Sequence, residues 1–326
     1  MKTIKIKFVD ITNKKHIAFI VEILKKRYHV EFSDNPDYII YGPFGNRHLR
    51  YDCIRIFYTS ECYTPNFNEC DYAIGYDRLD FGDRYMRLPL YQLFQYKRFY
   101  EMLKTRPVFT IDDLKKKTDF CNYVVSNSFV KDVRTDIFLK LCEYKVVNSG
   151  GRYRNNIGGA IKDKFSFQQK HKFSIAFENC SYDGYSTEKI VEAFAANTIP
   201  IYWGDPNIDV DFNSEAFINC HDFANLDEAI ECLKEIDNND ELYLKMMNQP
   251  ILKTEDLVMD DFLFHIFDQP LKDATRRPHS QHAKSREAYI LRHSFYEEVI
   301  YSKIEFVKNQ LYRLNNHTLL GRKRTK

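Results

Sequence analysis

Phe173-Ser174-Ile175-Ala176-Phe177-Glu178 runs without a break into Asn179-Cys180-Ser181-Tyr182-Asp183-Gly184-Tyr185-Ser186, then into Thr187-Glu188-Lys189-Ile190-Val191-Glu192-Ala193-Phe194-Ala195-Ala196, and Thr198-Ile199-Pro200-Ile201-Tyr202-Trp203 follows. The first run has the residues of a buried strand. The second is polar and contains a glycine. In the third, Ile190, Val191, Ala193 and Phe194 share one helical face, and the fourth is again a strand. Strand, loop, helix, strand is the repeating unit of a parallel α/β sheet.

The same rhythm extends to both sides. Upstream, Phe120–Ser126 and Lys145–Asn148 read as strands around a Val130–Tyr144 helix, and downstream Ala216–Cys220 precedes a helix at Leu226–Ile236. Earlier still, Ile4–Val9, Tyr28–Phe32, Tyr38–Tyr41, Ile54–Tyr58 and Tyr72–Gly75 are short β-rich runs, and Ile17, Ile20, Val21 and Leu24 line one face of a helix over His16–Arg27. Residues 89–118 read as a helical connector. Two α/β domains are therefore expected, 1–108 and 109–270, with ligands at the carboxyl ends of their strands. Residues 271–326 are different. They hold 13 Lys/Arg against 5 Asp/Glu, a net +8 in a chain of net +2, which leaves −6 on the body. They are expected to form a basic helical tail.

Composition narrows the class. The chain has 326 residues, 44% hydrophobic and 29% charged, so a largely disordered protein is excluded. No run approaches the ~18 apolar residues of a membrane span. The N-terminal Met1-Lys2-Thr3-Ile4-Lys5-Ile6-Lys7-Phe8 alternates like a strand and lacks the apolar core of an export signal. The eight cysteines have no C-x-x-C spacing. Reduced thiols and a soluble, cytoplasmic location are the expectation. The aromatic content of 15% is attributed to codon bias. Six of the eleven glycines lie within 150–204, which fits either tight turns beside a ligand or ordinary loop turns.

Chemistry concentrates at two strand ends. Thr187 can cap the helix that begins at Glu188, and a helix N-terminus suits a phosphate. Lys189 sits there against the dipole, at a cost of a few tenths of a kcal/mol that a bound anion would remove. A plain solvated helix start is the competing reading. The loop Asn148-Ser149-Gly150-Gly151-Arg152-Tyr153-Arg154 could grip a diphosphate through its arginines, although surface loops with two arginines are common. P-loop and dinucleotide fingerprints are absent. Asp209-Val210-Asp211 has the form of a metal-holding D-x-D pair but lies in an irregular crossover, and is read as structural. His279, His282 and His293 are read as surface residues of the tail.

Phe177-Glu178-Asn179, Gly184-Tyr185-Ser186-Thr187-Glu188-Lys189, Ala193-Phe194, Thr198–Gly204, Asp211-Phe212-Asn213 and Phe217-Ile218-Asn219 together resemble the donor-binding signature of the α1,3/α1,4-fucosyltransferases, the bacterial members most of all. Arg55–Glu61, Pro65-Asn66-Phe67, Asp71–Gly75 and Arg84–Leu90 resemble that family's acceptor domain, so the match runs with gaps over about 50–270. The resemblance implies a GT-B arrangement, two Rossmann-like domains facing across a cleft. It implies inverting transfer of L-fucose from GDP-β-L-fucose to N-acetylglucosamine of a LacNAc-type, Lewis antigen-like glycan, with α1,3 as the first expectation and α1,4 left open.

By the same resemblance Glu61 is the general base, and Arg154 and Lys189 neutralise the GDP phosphates with no metal or other cofactor. Glu188 and Tyr185 contact the donor, Glu188 at sugar hydroxyls, and Asn179 lines the pocket. Ser60 and Ser186 depart from the usual bacterial pattern, which has Gly and Val or Thr there. A transferase using another GDP-sugar such as GDP-mannose, or a non-catalytic sugar-nucleotide or glycan-binding protein, are the alternatives. No nucleic-acid partner is expected. The tail carries a further expectation, peripheral docking on the anionic inner membrane surface, against packing on the body or on another subunit.

Overall fold

In a computed structural model, residues 1–126 and 133–277 are described, together with 303, 304 and 307. The chain packs as two compact units. Met1–Tyr58, Pro65–Ala73 and the chain from Phe264 make up the first, and Thr59–Thr64 with Ile74–Leu263 the second.

The first sheet contains β1 (Lys2–Val9), β2 (Tyr28–Phe32), β3 (Tyr38–Tyr41), β4 (Ile54–Tyr58), β5 (Tyr72–Gly75) and β6 (Tyr85–Arg87), in the order β2-β1-β3-β4-β5-β6. The first four are parallel. Helix α1 (Lys14–Lys25) joins β1 to β2. The Asn13 side chain caps it by accepting from the Lys15 N–H at 3.0 Å, and it buries Ile20, Val21, Ile23 and Leu24. Ile17, expected on the buried face, is only half-buried, and Ile23 takes its share. Every residue of β3 and β4 is buried, as parallel strands covered on both faces require.

That burial takes in Arg55. Its guanidinium donates to the Tyr51 carbonyl (3.1 and 2.9 Å), and burial lowers its pKa to about 10. Asp71 closes the unit. One carboxylate oxygen accepts the backbone N–H groups of Arg276 and Arg277, the other accepts from the Arg55 N–H and from Arg277 Nε at 2.8 Å. The returning chain is thus fixed as far as Arg277, which is fully buried. Most of the basic tail lies beyond it, outside the described residues, as do His279, His282 and His293.

The second unit holds α2 (Phe94–Leu103), α3 (Ile111–Leu114) and a five-stranded sheet of β7 (Asp119–Tyr123), β8 (Val147–Ser149), β9 (His171–Phe177), β10 (Ile199–Trp203) and β11 (Ile218–Asn219), ordered β11-β10-β9-β7-β8 and parallel throughout. Helices α4 (Val133–Tyr144), α5 (Lys164–Gln168) and α6 (Glu188–Ala195) connect the strands. α7 (Leu226–Asp237), α8 (Asp240–Met247), α9 (Met259–Asp268) and α10 (Leu271–Ala274) follow.

Side chains alternate along β9. Phe173, Ile175 and Phe177 join a core with Ile137 and Leu141 of α4 and Leu233 of α7, while Ala176 joins Ile190, Val191 and Phe194 of α6 with Phe99 and Tyr100 of α2. Each of those large side chains contributes about 1.5–3 kcal/mol by leaving water. Polar residues inside the sheet satisfy one another, with Asn122 and Thr198 both hydrogen-bonded to Ser174 Oγ at 2.6 and 2.8 Å. Asn197, at φ +56°, ends α6 in the left-handed turn that a helix C-terminus favours. This sandwich fixes where β9 ends and α6 begins.

Candidate functional site

Glu178 is the first residue past β9 and is fully buried. Its backbone N–H donates to the Trp203 carbonyl at 2.8 Å, which continues the β9–β10 pairing by one bond. Its carboxylate turns toward the start of α6. There it accepts from the Thr187 N–H (2.7 Å), from the Thr187 hydroxyl (2.7 and 2.9 Å to its two oxygens) and from Lys189 Nζ (2.7 Å). Gly204 makes the arrangement sterically possible, because a Cβ there would stand 2.5 Å from Glu178 Cγ.

This corrects two expectations. Thr187 occupies the cap position, but its hydroxyl caps no helical N–H and bonds Glu178 instead. Lys189 is not waiting for an external anion to relieve its position, because Glu178 answers it at 2.7 Å and Glu188 lies 3.7 Å away. Burial lowers the affinity of Lys189 for its proton, yet these two carboxylates outweigh burial and hold its pKa above the ordinary value. Burial pushes Glu178 up. Glu188 goes the other way, since Lys189 and Lys164 more than offset its burial. An ammonium group has three donors. Glu178 and the Thr187 hydroxyl, at 2.8 Å, take two of them.

The loop between β9 and α6 is held by arginines that the sequence did not single out. Arg78 forms a fork on Asp205 (2.9 and 2.6 Å) and reaches Asp183 at 2.8 Å and Asp211 at 2.9 Å. Arg87 forms a second fork on Asp211 (2.9 and 2.6 Å). Asp205 also accepts the Gly184 N–H at 2.9 Å. Gly184 has φ +82°, and a Cβ on it would meet the Tyr76 carbonyl at 2.6 Å, so only glycine fits. Both oxygens of Asp211 are spent on arginines, which gives that aspartate a structural role.

The six residues expected from the sequence all belong to this second unit. Glu188 and Lys189 share the first turn of α6. Tyr185 is buried beside them and rings against Tyr76 at 5.0 Å. Burial raises its pKa, with the charges of Glu178 and Glu61 adding to the effect, so Glu61 lies within electrostatic reach of the loop. Glu61 itself is exposed, three residues past β4, in a turn where its N–H donates to Thr59 Oγ1 at 3.0 Å. Asn179 accepts from Arg134 Nη1 at 2.9 Å.

Among the described residues, Arg154 shares no hydrogen bond or ion pair with the Lys189 cluster. It is exposed, lies over the Tyr153 ring at 5.6 Å, and among the described residues no carboxylate pairs with it. It holds φ +51°, a left-handed conformation that costs a non-glycine residue about 1–2 kcal/mol.

Residues 6–94 match the N-terminal domain of the α-(1,3)-fucosyltransferase FucT, and residues 114–249 match the C-terminal part of glycosyltransferase family 10, the fucosyltransferases. A crystal structure of an α1,3-fucosyltransferase with GDP-fucose is 30% identical, superposes with a TM-score of 0.67, and covers 85% of this chain and 91% of its own. This chain belongs to glycosyltransferase family 10. Its two parallel α/β sheets are those of a GT-B fold. The α-(1,3)-fucosyltransferase FucT of Helicobacter pylori is 36% identical over 269 residues, 72% of this chain and 56% of that protein. A 4-galactosyl-N-acetylglucosaminide 3-α-L-fucosyltransferase of Bos taurus is 35% identical over 140 residues, 42% of this chain and 38% of its own. This family-10 chain spans about half the length of the curated relatives it matches.

Proposed function

We propose that this chain transfers L-fucose from GDP-β-L-fucose to the 3-hydroxyl of N-acetylglucosamine in a LacNAc-type glycan, with inversion at the anomeric carbon. The observation that carries the reading is the start of α6. Backbone N–H groups, the half-buried Lys189 with one ammonium donor uncommitted, and the half-buried Glu188 converge at the carboxyl end of β9, where parallel α/β sheets bind ligands. Family membership supports GDP-fucose as donor. The name of the Bos taurus relative supports a 4-galactosyl-N-acetylglucosaminide as acceptor.

In this mechanism the third Lys189 donor and the Arg154 guanidinium, whose Nε alone is held among the described residues, by the Tyr153 hydroxyl at 3.3 Å, stabilise the charge that develops on the departing diphosphate. The strained backbone of Arg154 fits a functional position. Glu188 accepts from fucose hydroxyls, and Tyr185 and Asn179 shape the donor pocket. Glu61, exposed to the acceptor, takes the proton from the attacking hydroxyl. One in-line displacement then turns the β-linked donor into an α-fucoside. No metal is needed where two cations hold the phosphates, so transfer is expected to persist in EDTA. Loss on chelation that Mn²⁺ restores would overturn that part.

We place the enzyme in the cytoplasm, with its basic tail on the anionic inner membrane surface. Among the described residues no helix is long and apolar enough to cross a membrane. The donor is tested by GDP release in the presence of N-acetyllactosamine. GDP-fucose should be consumed and GDP-mannose left intact. Turnover of GDP-mannose alone would favour a different transferase, and turnover of neither a binding protein.

A further inference from the structure

Cys62 follows Glu61 in the loop Thr59–Thr64, and Cys180 follows Glu178 and Asn179 at the end of β9. Both are free and half-buried, and both loops belong to the second unit. Each thiol is the leading influence on the other's pKa, so the two lie within interaction range. The loops are pinned together around them. Thr64 Oγ1 donates to Asp77 Oδ1 at 2.8 Å and lies 3.4 Å from Tyr182 Oη. Tyr76 packs edge-on against Tyr182 at 6.0 Å, and its hydroxyl is 3.6 Å from Cys62 Sγ.

Reactivity separates Cys62 from the rest, whereas contact with Cys62, together with burial, pushes the Cys180 thiol up. Burial pushes the thiols of Cys53, Cys121, Cys142, Cys220 and Cys232 up. Cys62 is brought down to about 7, because its contacts with Cys180 and with the Tyr76 hydroxyl favour the thiolate by more than burial opposes it. Asp77 and Glu178 oppose this, and Lys189 is the nearby cation. A thiol whose pKa lies near ambient pH is the best placed to attack, and a second thiol in contact is placed to resolve the product.

We propose that Cys62 and Cys180 form a reversible disulfide, a modification site that ties the Glu61 loop to the loop entering α6 and switches transfer off. In the first step the Cys62 thiolate attacks one oxygen of a hydroperoxide. The O–O bond breaks, and the leaving hydroxide takes up a proton to become water. The sulfenic acid so formed is attacked by Cys180 sulfur. The S–S bond forms, the S–O bond breaks, and a second water leaves with the Cys180 proton. Two electrons pass from the sulfurs to the peroxide, and a dithiol reductant returns them. Closing the thiols to a bond length near 2.05 Å draws Cys62 toward β9, and Glu61 moves with it. The functional half rests on the role proposed for Glu61.

The test treats the reduced full chain with hydrogen peroxide, maps peptides by mass spectrometry and follows fucose transfer. A linked peptide pair containing Cys62 and Cys180 is expected, with a fall in rate of at least ~10-fold that dithiothreitol reverses. Cys180→Ser should lose both the linkage and the reversible inhibition, and Cys62→Ser likewise. Absence of the linked pair, or a linked protein that transfers at the reduced rate, overturns the proposal. The peptide map needs no activity, so a reduced chain that transfers no fucose counts against the proposed function and not against the disulfide.

Discussion

Lys189 carries two duties that a single substitution separates. It answers the buried carboxylate of Glu178, and under the proposed function its remaining donor holds the diphosphate. Lys189→Ala should therefore weaken GDP binding by about 1.5–3 kcal/mol, the worth of a charge-assisted hydrogen bond, and should also lower the denaturation midpoint by leaving Glu178 unpaired. Calorimetry and thermal unfolding read the two effects. Unchanged GDP affinity would leave only the structural duty. Glu61→Ala should lower kcat at least ~10²-fold with GDP affinity near wild type, as loss of a general base requires. An equal loss of both would make Glu61 a structural residue of its loop.

At the scale of elements, the loop entering α6 depends on the Arg78–Asp205 and Arg87–Asp211 forks, in which both aspartates are buried. Removing one partner of a buried ion pair strands the other, at a cost of about 3–5 kcal/mol. Arg87→Met leaves Asp211 its 2.9 Å bond to Arg78, so a smaller loss of about 1–3 kcal/mol is expected in denaturant unfolding, and a loss under ~0.5 kcal/mol would show that the forks contribute little. The start of β9 has its own pH dependence. His171 accepts from Asn148 at Nε2 (3.1 Å) and donates from Nδ1 to the Phe167 carbonyl (2.9 Å), and burial lowers its pKa below the ordinary 6.5. The unfolded chain therefore binds the proton more readily. This stability is full above pH 6.5 and is lost as pH falls through the folded pKa. His171→Gln should flatten the slope of unfolding free energy against pH below 6.5, and an unaltered slope would exclude His171 as its source.

These elements also mark what the sequence could reveal. Strands such as β3 and β5 were legible to the residue because they are fully buried, continuous apolar runs. β6 is a three-residue strand and went unread, as did α8 and α9. The forks were invisible because Arg78 and Asp205 lie 127 positions apart and neither has a local pattern. Glu178 stood in the quoted stretch, but its pairing with Lys189 depends on how β9 and α6 meet.

For the whole molecule, charge is divided between a body of −6 and a C-terminal stretch of +8. Deleting the residues after Asn315 is expected to leave GDP binding intact and to reduce sedimentation with anionic vesicles at low salt. A full-length chain that ignores such vesicles would end the membrane assignment. The central claim concerns the product. Reduced full-length protein, incubated with GDP-fucose and N-acetyllactosamine, should yield a trisaccharide whose proton NMR spectrum shows fucose α-linked to O3 of N-acetylglucosamine. A β-fucoside, fucose at another position, or GDP released with no glycoside formed would contradict it.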